Sequence, residues 1–181
     1  MPRRLLRDGL IVEDDWSYRA EAGADAEGRA QPALILTFSE WQSERAAWMA
    51  RGGRVGVVLQ PADKVESLAP DISRLELIGA QFSGPGEGRG YTQARLLRER
   101  WKFTGELRAT GYVRRDQLFF LARCGFNSFE LSDADLEDAA GALSTFSAAY
   151  QPSNDAGLPH KLVLNRKISE PRERRRGAPG A

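Results

Sequence analysis

Four glycines, at 84, 86, 88 and 90, surround Arg89 in the stretch 83–90. A second cluster, Tyr112, Arg114, Arg115, Asp116 and Gln117, follows one strand and one helix later. Closely spaced glycines let backbone N–H groups approach an anion, and a helix that starts there aims its positive end at the same point. Arg89 and Arg115 can add forked hydrogen bonds to a bound oxyanion. Gly88, Arg89, Gly90, Tyr91, Arg115 and Gln117 are therefore the candidate anion-binding residues. The plainer alternative is a surface loop whose arginines are solvated or paired, as the four-residue spacing of Arg95 and Glu99 allows on one helix.

Other chemistries fit less well. A dinucleotide fingerprint needs a third glycine at 89 or 91, where Arg89 and Tyr91 stand. The ribose-binding acid expected at the end of the next strand is also missing from Ala109-Thr110-Gly111. Cys124 precedes Gly125 at a predicted helix end, where the negative dipole disfavours a thiolate, so it reads as a small core residue. Asp116 falls in the first turn of a helix facing the same edge. It is a candidate general base, or simply a carboxylate that complements the helix dipole. One cysteine and one histidine, His160, leave no metal motif. Any cofactor is unknown.

The elements that must position these residues alternate. The segment 10–16 reads as a short strand and 19–31 as a surface loop. Apolar runs at 33–38, 54–60, 75–82, 105–110 and 128–131 read as buried strands. Helices fall between them. The first has Ser39 and Gln42 placed as a capping box and stops at Gly52-Gly53. The second opens at Pro61 and ends by Pro70. The third starts at Tyr91, the fourth spans 114–124, and the last runs from its Ser132 cap to about residue 151. Trp41 and Trp48 share one helical face. Leu118, Phe119, Leu121 and Ala122 mark the core side of the fourth helix, and Leu136, Ala140, Leu143, Phe146 and Tyr150 that of the last. Strand–helix units in series predict an α/β fold: an open, mostly parallel sheet of about five strands with helices on its faces. A partial βα barrel is the alternative.

The 181 residues suit one domain, 1–151, followed by a basic and disordered tail, 152–181. Within that tail the alternating run 161–168 has the pattern of an edge strand. A formal net charge of +1 argues against a general affinity for nucleic acid or membrane. The charge is nonetheless uneven: residues 84–123 carry +5, the tail +4 and the remainder −8. With no apolar stretch after the basic N-terminus and no membrane span, a cytoplasmic location is expected. Ligands of open α/β sheets bind beyond the carboxyl ends of the strands, where 83–90 and 112–115 both lie.

Three blocks are distinctive: GRGYTQARLLRER at 88–100, GELRA at 105–109 and DQLFFLARCGF at 116–126. In them the chain resembles a proteobacterial family of unknown function, over roughly residues 5–151. Its members are often encoded beside the haemoprotein of assimilatory sulfite reductase, and they are commonly labelled probable oxidoreductases of sulfite reduction. The resemblance implies a pathway and a partner: an accessory protein acting with the sulfite reductase haemoprotein or its electron supply. An enzyme or binding module for a small anion at the strand edge is the alternative. Members usually carry Asp-Gly-Arg-Gly where this chain has Glu87-Gly88-Arg89-Gly90, and Gly-Asp-Val where it has Gly111-Tyr112-Val113. Tyr112 thus becomes, with Asp116, a candidate for a catalytic position.

Overall fold

The computed structural model describes residues 3–22 and 33–143. Most of the loop 19–31, the last helix beyond Leu143 with Phe146 and Tyr150, and the tail 152–181 with its run 161–168 lie outside the described residues. Eight strands form one sheet: β1 (Arg4–Arg7), β2 (Leu10–Glu13), β3 (Trp16–Tyr18), β4 (Ala33–Thr37), β5 (Val55–Leu59), β6 (Leu77–Phe82), β7 (Glu106–Gly111) and β8 (Ser128–Phe129). The helices are α1 (Arg19–Ala22), α2 (Phe38–Arg51), α3 (Arg89–Glu99), α4 (Leu118–Cys124), α5 (Asp133–Glu137) and α6 (Ala139–Ala142).

The five apolar runs are indeed parallel neighbours, β4 to β8, in chain order. The sheet is larger than expected and mixed. β3 extends the parallel part beside β4, while β1 pairs antiparallel with both β8 and β2. The order is β2-β1-β8-β7-β6-β5-β4-β3. The segment 10–16, read as one strand, is two, broken at Asp14-Asp15.

Helices on both faces would require the strand order to reverse, and it does not. Each right-handed crossover therefore lands on the same side. Residue parity agrees. Leu34, Leu36, Val57, Ile78, Ala80, Leu107, Ala109 and Phe129 share one core with Trp41, Trp48, Ala94, Leu97, Leu118, Leu121, Leu136 and Ala139 of the helices. The alternate residues Ala33, Ile35, Val58 and Leu77 form a smaller cluster with Trp16 on the other face.

That second face is concave. Strands β3 and β8 are five inter-strand steps apart, about 24 Å in a flat sheet at ~4.8 Å per step. Yet the Tyr18 hydroxyl, at the end of β3, donates to Glu130 just past β8 at 2.9 Å. The sheet curls into a half-barrel.

Local chemistry shifts several boundaries. The capping box of α2 is built two residues earlier than expected. Thr37 Oγ1 accepts from the Glu40 amide, and the Glu40 carboxylate accepts from the Thr37 amide. The stretch after Pro61 makes two 3-10 turns, Val65–Leu68 and Ile72–Arg74, instead of a helix. Buried Asp71 pins them by accepting from Arg45 and the Trp41 indole. The fourth helix begins with a 3-10 turn, Arg115–Gln117, before α4. Gly125 ends α4 in a left-handed C-cap, and Ser132 caps α5, both as expected.

Candidate functional site

At the carboxyl edge of the sheet the loops after β5, β6 and β7 meet the starts of α3 and α4. Buried Gln93 of α3 donates its side-chain amide to the carbonyls of Gln60 and Asp63, which ties α3 to the loop after β5. Gln60 and Gln81 hydrogen-bond side chain to side chain across neighbouring strands.

The predicted anion residues divide between packing and surface. Gly88 is the exposed N-cap of α3, and Arg89 its exposed first residue. Gly90 is buried, and a Cβ there would sit 2.6 Å from the Phe82 ring. Tyr91 stands edge-on to the same ring at 5.4 Å between centroids. Burial raises the Tyr91 phenol, and Cys124 and Asp116 act in the same direction.

The positive end of α3 already has a carboxylate. Glu87 Oε1 accepts from the Arg89 amide at 3.0 Å, and both Glu87 oxygens accept from the Arg89 guanidinium at 2.9 Å. These bonds hold the Glu87 carboxyl down at about 2. At the second loop, Gln117 spends its side-chain oxygen on the Arg114 amide. Arg115 and Asp116 are exposed in the turn that opens α4. Tyr112 is 39 % exposed, and Phe120, in the first turn of α4, is 52 % exposed. The Tyr112 amide donates to the Phe82 carbonyl at 2.7 Å, so both loops are anchored on the end of β6.

The half-barrel's concave face holds a group that the sequence reading missed. Arg108 of β7 has no exposure, and its five N–H groups are all used at 2.7–3.1 Å. They donate to both oxygens of Asp14, twice to Glu106 Oε1 and once to Glu130. Arg3 adds a forked pair to Asp14, and Arg7 reaches Glu106 at 3.3 Å. Burial opposes the Arg108 charge, but Asp14, Glu106 and Glu130 outweigh it and raise its pKa. Asp14 is likewise pushed up by burial and held down overall by Arg108 and Arg3. Glu106, Arg108 and Thr110 alternate with Leu107 and Ala109 along β7, and that polar period was the one local signal available.

Among the described residues no group of three or more His, Cys, Asp or Glu side chains is placed to hold a metal ion, and no helix is long and apolar enough to cross a membrane. No curated protein matches the chain. The profile of a bacterial protein family of unknown function, DUF934, matches residues 56–160, more than half of the chain, and the chain belongs to that family.

Proposed function

We propose that this protein is an accessory component of assimilatory sulfite reduction, and that it works by docking on the sulfite reductase haemoprotein through the carboxyl edge of its half-barrel. The pathway is supported by the resemblance of the blocks 88–100, 105–109 and 116–126. The mode of action is supported by one observation: exposed Tyr112 and Phe120 stand among exposed Arg114 and Arg115 on the loop and helix that follow β7. Tyrosine, phenylalanine and arginine are the residue types enriched in the centres of protein interfaces. Tyr112 also replaces the aspartate of the resembling family, which removes a carboxylate from the edge and adds contact area.

Binding of the purified haemoprotein to the immobilised full chain tests this reading. Micromolar or tighter binding is expected, weakened at least tenfold in the double variant Y112A/F120A. No binding at tens of micromolar would refute it.

A second reading, a small-anion site at the start of α3, requires the ligand to take the place of the Glu87 carboxylate on Arg89. Calorimetric titration with phosphate and with sulfite examines it. Glu87→Gln should tighten binding if that reading holds.

A further inference from the structure

A cleft of about 630 Å³ opens at the other end of the sheet, where β6 and β7 begin. Its walls are the turns before β6, with Ile72, Ser73 and Glu76, and the connection from α3 to β7, with Trp101, Lys102 and Thr104. The volume falls within the roughly 300–1,000 Å³ typical of small-molecule clefts. It lies at the amino ends of the parallel strands, so it is separate from the docking edge proposed above.

The α3–β7 connection is held rigidly. Arg98 donates to the carbonyls of Phe103, Gly105 and Gly125 and to the Asn127 side chain. The Trp101 and Phe103 amides donate back to Leu96 and Leu97. Within this frame Lys102 has φ +52°, a left-handed conformation that lysine seldom takes. This left-handed residue closely follows the end of α3, where such a conformation commonly stops a helix, and it fixes the course of the chain along the cleft wall.

The chemistry of the lining selects a ligand class. Trp101 is half-buried, with the Arg100 guanidinium over its ring at 5.0 Å, and it offers an aromatic surface beside Ile72. The Glu76 carboxylate is engaged by Arg54 at 2.7 Å. Lys102 is exposed and makes no ion pair among the described residues, so the cleft carries a positive charge. Ser73 and Thr104 add exposed hydroxyl donors. We infer that this cleft binds a small planar anion, an aromatic or heteroaromatic ring bearing a phosphate or carboxylate. The ring lies against Trp101 and the anionic group on Lys102, Ser73 and Thr104.

The tryptophans make the test direct. Trp16, Trp41 and Trp48 are 2–8 % exposed, which leaves Trp101 as the reporter of this cleft. The full chain is titrated with adenosine monophosphate and with benzoate, following tryptophan emission and, in parallel, heat by calorimetry. Inorganic phosphate serves as the ringless control. Saturable binding of at least one planar probe below millimolar is expected, with phosphate at least tenfold weaker. Lys102→Gln, which removes the charge and keeps a polar side chain one bond shorter, should weaken binding at least tenfold. Y112A/F120A should leave it unchanged, so failure here is distinguishable from failure of the docking reading. Three results would overturn the inference: no saturation by either planar probe at 10 mM, equal affinity for phosphate, or an unaltered affinity in a folded Lys102→Gln chain.

Discussion

Replacing Arg108 by methionine tests what holds the half-barrel closed. The side chain fits the volume of the arginine stem but removes a charge that saturates three carboxylates. Asp14 is fully buried, Glu106 is 10 % exposed and Glu130 18 %. Removing one partner of a buried ion pair costs about 3–5 kcal/mol. Arg3 and Arg7 remain on Asp14 and Glu106 and offset part of that loss, so the lower half of the range, about 3–4 kcal/mol, is expected. For a domain of this size the melting temperature should fall by roughly 6–16 °C. The loss should also shrink on acidification. In the variant Asp14 loses the Arg108 bonds that hold its carboxyl down, and burial then pushes its folded pKa up. The folded state gains stability as the pH falls from 7 through that raised value. Scanning calorimetry at pH 7 and pH 5, with urea unfolding alongside, measures both effects. Arg108→Lys, with three donors in place of five, should fall between wild type and methionine. A methionine variant within about 1 kcal/mol of wild type at pH 7, or a deficit indifferent to pH, would refute the argument.

Three further outcomes follow from the same structure. In the unsubstituted protein Asp14, Asp15 and Glu87 are held below their ordinary values. Arg108 and Arg3 act on Asp14 against burial, Arg54 and Arg7 hold Asp15 at about 2 against burial, and Arg89 holds Glu87 at about 2. Urea unfolding should therefore show full stability above about pH 4.5, lost progressively toward pH 2. Gly111→Ala should lower the melting temperature by about 4–8 °C, since φ is +81° and a Cβ would meet the Phe82 carbonyl at 2.5 Å; a left-handed alanine alone costs about 1–2 kcal/mol. Thr37→Ala opens the capping box of α2 and should cost about 1 kcal/mol by urea unfolding, whereas Ser39→Ala should cost little.

Strands β4, β5 and β6 were legible because both faces of each are covered, so their residues run largely apolar. Helix ends at Gly52 and Gly125 and the Ser132 cap were legible because glycine and serine act within a few residues of themselves. The N-terminal strands were legible only in part: the segment 10–16 read as one strand where β2 and β3 are two. β1, Arg-Leu-Leu-Arg, shows neither the run nor the alternation that marks a strand, and its pairing with β8 is long-range: Leu6 opposes Phe129. The Arg108 cluster has the same origin. Asp14 and Arg108 are 94 residues apart, and nothing local tells an aspartate that it will be buried against a distant guanidinium. The glycine loop was read as a place where backbone N–H groups approach an anion; the close approach that the structure shows at Gly90 is to the Phe82 ring. At Arg89 the local acid Glu87, two residues away, takes the guanidinium.

The curl and the placement of function are connected. Six parallel strands added in one direction, with every crossover on one side, make part of a closed βα barrel. β1 enters antiparallel to β8, and a strand of that direction cannot be extended by another right-handed βα crossover, so growth stops there. In place of the missing strands, the turn at Asp14-Asp15 and the end of β3 reach across the concavity. Asp14 meets Arg108, and Tyr18 meets Glu130. A complete barrel fills its interior with layers of apolar side chains; this half-barrel fills it with Trp16, Ile35, Val58, Leu77 and a saturated ion cluster. Among the described residues every N–H of Arg108 is already spent on a carboxylate. The two surfaces proposed for binding lie at the rims instead, where loops carry Tyr112 and Phe120 at one end and Trp101 and Lys102 at the other.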